Sequence, residues 1–163
     1  MRITVYGLPA PQGSKRYVGR TKMGRGILVE NSDAVTPWRA DVMTAARAVL
    51  EAHGWPAPME GPMVARMVFT VPKPKSAPKM RRTWPVSRPG DLSKLVRATE
   101  DALQAAGVIK DDGMIVEYTR LLKVYPGEDL EAMDRPGCQI ALSYAPGFAI
   151  VVPGGTPPLA IES

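Results

Sequence analysis

The sequence predicts an α/β (α+β) fold, a small mixed β-sheet of about four strands with two principal helices packed on it, in the order β-α-β-α-β-β. Three observations carry that expectation. Four segments combine β-branched or aromatic residues with alternation or a short apolar run. Two others repeat apolar residues every three or four positions, the period of a half-buried helix. The length, 163 residues, suits a single domain with one core.

RITVYGL (2–8) alternates and opens the sheet. PAPQGSKRYVGRTKMGRG (9–26) is rich in Gly and basic residues and is expected to be a loop, with ILVE (27–30) a short strand after it. Thr36 followed by Pro37 marks a helix start, because Pro in the first turn gives up an N–H that has no partner there. Trp38, Val42, Ala45 and Val49 then recur at helical spacing, and Gly54 closes the run. MVARMVFTV (63–71) is a second full strand. It empties into PKPKSAPKMRRTWPVSRPG (72–90), too rich in Pro and charge for a regular element. Residues 92–106 form the second helix, with an apolar stripe of Leu92, Leu95, Val96, Thr99, Ala102, Leu103 and Ala106. Gly107 is placed for a left-handed cap with Val108 as its apolar follower. MIVEYTRLLKVY (114–125) and CQIALSY (138–144) supply the last strands. Residues 1–144 are thus one domain, and the Pro/Gly-rich tail 145–163 is expected to be extended or disordered.

Composition narrows the chemistry. One cysteine and one histidine leave no disulfide framework, zinc site or thiol-redox motif. The opening MRITVYGLPAPQG lacks the apolar run of a signal peptide, and no stretch is long enough to span a bilayer. A cytoplasmic setting is expected. Charge is segregated along the chain: residues 1–90 hold 15 Lys/Arg against 5 Asp/Glu, and residues 91–163 hold 6 against 11. A solvated surface accounts for this, and so does a polyanion footprint, since clustered Lys and Arg neutralise phosphates and release counterions. The basic runs are Gly- and Pro-rich rather than amphipathic, which favours nucleic acid over a membrane surface.

Three carboxylates bracket the second helix. Asp91 stands at its entrance, where capping alone explains it. Asp111 and Asp112 follow its exit, where a turn explains them. If the strands on either side of this helix are neighbours, Asp91 after one and Asp112 before the other converge. Such carboxylates call for a cation, and oxygen ligands without His or Cys suit Mg²⁺ or Mn²⁺. Acidic groups flanked by basic loops fit metal-assisted phosphodiester hydrolysis. On the helix wheel Ser93, Arg97, Glu100 and Gln104 share one polar flank. Glu100 reads as the i+3 partner of Arg97 or as a displaced ligand.

DLSKLVRATEDALQAAGVIKDDGMIVEY (91–118) resembles, without a gap, the RusA-type Holliday-junction resolvases, whose pattern is Asp-x-Asp-Asn-Leu-x-Lys, Asp-Ala-Leu, Ala-Gly, Asp-Asp-x-x-Val. YGLPAPQGSKRYV (6–18), the helix after Thr36 and the strand before the basic linker are similar too, so the likeness covers roughly residues 1–144. It implies a small α/β homodimer that cuts four-way DNA junctions with Mg²⁺, with Mn²⁺ as a substitute, by paired nicks. It also fits a bacterial or phage-infected host cytoplasm and a phage or prophage origin. Asp91 matches the first metal-site Asp, Asp112 the acidic residue of the Asp-Asp pair with Asp111 its companion, and Asp101 a structural Asp. Two positions depart from the pattern. Ser93 replaces the second catalytic Asp and Arg97 the functional Lys; Arg keeps the charge but is a poor proton donor.

The resulting expectation is a Mg²⁺-dependent, structure-selective endonuclease. Asp91 and Asp112 ligate metal, with Ser93 through water, Asp111 or Glu100 as further candidates, and Arg97 faces the scissile phosphate. Lys15, Arg16, Arg20, Lys73, Lys75, Lys79, Arg81, Arg82, Arg88 and Lys94 are the candidate DNA contacts. The expected partners are branched DNA and a second copy of the chain, with no membrane and no nucleotide cofactor. Two rivals stand beside it: a junction-binding protein whose chemistry lapsed with Ser93, and an acidic/basic interaction module that binds no nucleic acid.

Overall fold

The structure is a computed structural model that describes residues 1–13, 15–20, 26–30, 33–78, 82–86 and 88–148, the strands at 15–20 and 26–30 by backbone alone. Its elements are β1 (Arg2–Tyr6), β2 (Lys15–Arg20), β3 (Gly26–Glu30), α1 (Val35–His53), β4 (Met63–Thr70), α2 (Leu92–Ala105), β5 (Ile115–Val124) and β6 (Gly137–Tyr144). Four strands form a mixed sheet in the order β1-β6-β4-β5. β6 runs antiparallel to β1 and β4, whereas β4 and β5 are parallel. A parallel pair needs a crossover, and α2 supplies it. The expected α+β sheet with two helices is therefore the observed one.

The opening loop departs from expectation. Within residues 9–26, Lys15–Arg20 is a strand that pairs with β3 as a separate two-stranded ribbon, with a register shift between Tyr17 and Gly19. Cross-strand backbone pairing organises a segment whose Gly and charge content masks any alternation. The first helix also begins earlier than Thr36-Pro37 suggested, at Val35 with Ala34 as an N-cap that makes no side-chain bond. Pro37 still lies in the first turn, where its missing N–H is harmless.

Packing follows the predicted stripes. Trp38, Val42 and Ala46 of α1, and Leu95, Val96, Thr99, Ala102 and Leu103 of α2, are buried against Met63, Ala65, Met67 and Phe69 of β4. Two polar ties lock the helices together. The Trp38 Nε1–H donates to Thr99 Oγ1 at 3.1 Å, and that hydroxyl donates to the Leu95 carbonyl at 2.9 Å. Arg39 pairs with Asp101 at 2.5 Å, which gives Asp101 the structural role expected of it. Among the described residues the other face of the sheet carries no helix. It is covered in part by the β5–β6 connection, where the Met133 N–H donates to Thr70 Oγ1 at 2.8 Å. Of the tail, residues 145–148 turn back on the sheet, with the Ala145 N–H bonded to Pro62 O and Phe148 against Tyr144 at 5.4 Å between centroids. The remainder, 149–163, lies outside the described residues.

Candidate active site and nucleic-acid interface

The entrance of α2 is built by three segments. Asp91 has the extended backbone of an N-cap (φ −67°, ψ 140°), yet its carboxylate makes no capping bond. It is 71% exposed, and its neighbour is the Lys94 Nζ at 3.5 Å. The capping explanation of Asp91 is thus not realised, and its oxygens remain available. Beneath it, Lys123 near the end of β5 donates from Nζ to the Gly90 carbonyl at 2.6 Å. Burial pulls the Lys123 pKa down, and the Asp91 charge opposes that shift. The opening loop closes the third side. The Gln12 N–H donates to the Lys94 carbonyl at 3.0 Å, and a Cβ on Gly90 (φ +146°) would stand 2.7 Å from Pro11 Cγ. Only glycine permits that approach. The side-chain oxygen of Gln12 is buried there without a partner.

The exit of α2 holds the other carboxylates. Asp112 opens a single 3₁₀ turn, Asp112–Met114, and Asp111 caps it by accepting the Gly113 N–H at 2.8 Å. Asp111 therefore has its turn-forming role, while Asp112 is exposed. Glu100 lies between the two ends. It accepts a hydrogen bond from the Tyr118 hydroxyl, and its pKa is pushed up to about 7, first by burial, then by the charges of Asp112 and Asp101, with Arg97 opposing. Among the described residues no ion pair joins Arg97 to Glu100, so Tyr118 takes the partnership expected of Arg97. Ser93 and Arg97 are exposed on the helix surface.

The strands flanking α2 are neighbours, which meets the condition set for convergence, but they are parallel. A residue after β4 and one before β5 consequently sit at opposite ends of the sheet. Nine residues of helix, roughly 13 Å, separate Asp91 from Glu100, the group on which Asp112 acts. No group of three or more His, Cys, Asp or Glu among the described residues is close enough to hold an ion. A cavity of about 490 Å³ lies elsewhere, on the helix-free face, lined by Arg2, Thr4, Arg66, Gln139 and Glu131. It contains none of these carboxylates.

The basic linker is tied to the acidic β5–β6 connection. Glu128 accepts from Lys73 Nζ at 2.5 Å and from the Thr83 N–H at 2.9 Å, and these bonds hold its carboxyl below the usual range. Asp129 pairs with Arg120 at 2.5 Å and with Arg82 at 3.8 Å. Glu131 bridges Arg66 and Arg120. The charge of Lys73 is thus partly spent inside the protein, while Lys75 and Arg88 are exposed. Lys94 answers to Asp91. Lys15, Arg16 and Arg20 are placed on β2 by backbone alone, and Lys79 and Arg81 lie outside the described residues. Sequence reasoning missed Lys123, Tyr118 and Gln12. Tyr118 and Lys123 stand five positions apart, which strict alternation sends to opposite faces; the register shift between Ala65 and Arg66 pairs them with Ala65 and Phe69 on the face toward α2, and spacing alone does not show that.

The family model described as Endodeoxyribonuclease RusA matches residues 7–131, from the end of β1 into the β5–β6 connection. No curated protein sequence matches the chain. No helix among the described residues is long and apolar enough to cross a membrane.

Proposed function

The chain belongs to the endodeoxyribonuclease RusA family, and from that premise we propose that it is a Mg²⁺-dependent, structure-selective nuclease that resolves four-way DNA junctions by paired nicks as a homodimer. The observation that carries this reading is Asp91: an exposed carboxylate at a helix entrance, freed from capping and set beside Lys94 and Lys123. The donor set is oxygen only, which suits Mg²⁺ or Mn²⁺. In this reading Asp91 and Asp112 would hold the ion, with Ser93 as a supporting polar group. A divalent ion held there would supply an activated water and offset charge at the phosphorus. Arg97, on the same polar flank as Ser93, binds the scissile phosphate as a fixed cation. Lys75, Arg88 and the strand β2 residues Lys15, Arg16 and Arg20 track the DNA arms.

Within one chain Asp91 and Asp112 stand too far apart to share an ion, so one held by both is held between two copies. An edge of the sheet offers a way. Among the described residues β5 is an edge strand of ten residues, and an edge of that length invites another strand. Antiparallel pairing of two β5 edges about a two-fold axis brings the start of one strand to the end of the other. Asp112 of the partner subunit then arrives at the Lys123–Gly90 end, beside Asp91. A two-fold dimer also presents two equivalent sites to a junction with its own approximate two-fold symmetry.

Cleavage of four-way, forked and linear DNA with and without Mg²⁺ tests the reading. Metal-dependent, paired nicking of the four-way junction is expected. Ser93, standing where the family pattern has an Asp, favours one rival: a junction binder with lapsed chemistry. Tight junction binding with no cleavage in Mg²⁺ or Mn²⁺ establishes that rival instead.

A further inference from the structure

The linker between β4 and α2 displays an apolar pair that the nuclease reading leaves unused. Trp84 is 50% exposed and Val86 is 86% exposed. Large apolar side chains in a charged, Pro-rich connection lose free energy to water and ordinarily fold back onto the core. These are held outward. The Thr83 N–H is bonded to Glu128, whose side chain is only 9% exposed and is itself paired with Lys73. The preceding residue, Arg82, lays its guanidinium 4.1 Å from the centroid of the Trp84 ring and is steadied by Asp129 at 3.8 Å. One ring face thus carries a cation, and the linker is fastened at Arg82 and at Thr83.

We propose that Trp84, backed by Arg82 and flanked by Val86, is a stacking platform for an unpaired or splayed nucleobase at a DNA branch point. The occupant follows from charge and shape. An exposed indole stacks on any base, and a guanidinium beside it meets the attached phosphate. Lys75 and Arg88, exposed on the same linker, extend the positive surface. Location agrees: Glu128 follows the end of β5 where Lys123 meets Gly90, so the platform lies at the Asp91 end of the sheet. Apolar side chains inserted at base steps unstack them, and unpaired bases at a branch need the least work to displace. The linker would then contribute recognition of branching in addition to backbone attraction. This inference rests on the nuclease reading, because it requires that the chain bind branched DNA.

Equilibrium binding without divalent cation, on a four-way junction and on linear duplex of equal length, tests it with Trp84→Ala and Trp84→Phe. Loss of one stacked base is expected to weaken junction binding by roughly 5- to 150-fold in Trp84→Ala. Trp84→Phe keeps most of the affinity, and duplex binding and the salt slope stay unchanged in both. Equal weakening on duplex and junction, or no weakening on either, overturns the platform. A changed oligomeric state of Trp84→Ala also overturns it, by showing that a second copy covers the indole. Junction cleavage that persists in an unaffected Trp84→Ala sinks this inference alone. A wild-type chain with no preference for branched DNA sinks both this inference and the nuclease reading.

Discussion

The two ends of α2 are finished in opposite ways. At the exit, Gly107 takes the left-handed conformation (φ +78°), its N–H bonds to Gln104 O at 2.9 Å, and the Val108 N–H bonds to Leu103 O at 3.0 Å. Val108 and Leu103 are both buried, which completes a Schellman motif with its apolar contact. At the entrance, Asp91 has the residue type and the backbone of a cap but withholds its carboxylate. An N-cap bond contributes typically about 1 kcal/mol. Forgoing it leaves an exposed anion beside two lysines. The contrast separates a helix terminus closed by its own backbone bonds from one whose capping carboxylate is left available for chemistry.

The sharpest break in that contrast is a functional one. Asp91→Asn is expected to cut junction cleavage by at least about 100-fold, the scale on which lost metal ligation removes transition-state stabilisation. Junction affinity stays, because the cations supply it. Stability shifts by less than about 0.5 kcal/mol, since no capping bond is removed. Chemical denaturation and a cleavage assay on the same sample check both halves. A large stability loss would make Asp91 a structural residue.

Gly107→Ala is the converse. A Cβ there meets nothing within 4 Å, so the cost is the left-handed backbone alone, about 1–2 kcal/mol. Cleavage per folded molecule should be unaltered. A fall in specific activity matching that of Asp91→Asn would erase the distinction between the two ends.

Glu100 sharpens the comparison through pH. Its carboxyl titrates near pH 7 in the folded chain and at the ordinary value of 4.5 when unfolded. Between those values the folded state holds the extra proton, so stability of the metal-free protein falls as pH rises from about 4.5 to 7. Glu100→Gln keeps the Tyr118 contact and removes this loss. After discounting for solvent screening, the variant should gain on the order of 1 kcal/mol at pH 8 and almost nothing at pH 4.5. Thermal melts at the two pH values distinguish this from a uniform effect. The Mg²⁺ requirement of cleavage should hardly move; if it collapses, Glu100 is a metal ligand.

The smallest effect belongs to the linker charges. Neutralising Lys79, Arg81 and Arg82 together should lower the slope of log affinity against log salt by roughly 0.9 for each phosphate that no longer meets a cation. An unchanged slope would turn this linker away from DNA.

Much of this was legible in sequence, for a physical reason. Burial imposes periodicity, so Trp38, Val42, Leu95, Thr99 and Leu103 declared both helices, and Gly107 with Val108 declared where the second one stops. The ribbon strand Lys15–Arg20 was not legible, because its order comes from pairing with Gly26–Glu30 rather than from local alternation. The neighbouring of β4 and β5 entered only as a condition. Their parallel sense, which sends Asp91 and Asp112 to opposite ends, was not anticipated, although adjacent strands joined by a crossover helix are parallel. Contacts between distant residues were also hidden. Tyr118 with Glu100, Lys123 with Gly90 and Thr83 with Glu128 depend on register and helix rotation, which a one-dimensional pattern does not carry.

Those opposite ends set the decisive measurement. Asp91→Asn and Asp112→Asn are each expected to be inactive as homodimers. Co-refolding the two at equal concentration produces mixed dimers in which one shared site loses both carboxylates and the other keeps both. If the ion is held between two copies, Mg²⁺-dependent nicking of one junction strand returns in the mixture, approaching a quarter of wild-type site content for random assortment of subunits. If the mixture stays as inactive as either variant while the wild type cleaves, Asp91 and Asp112 do not share a site across the dimer, and the pairing of two copies is not what assembles the chemistry.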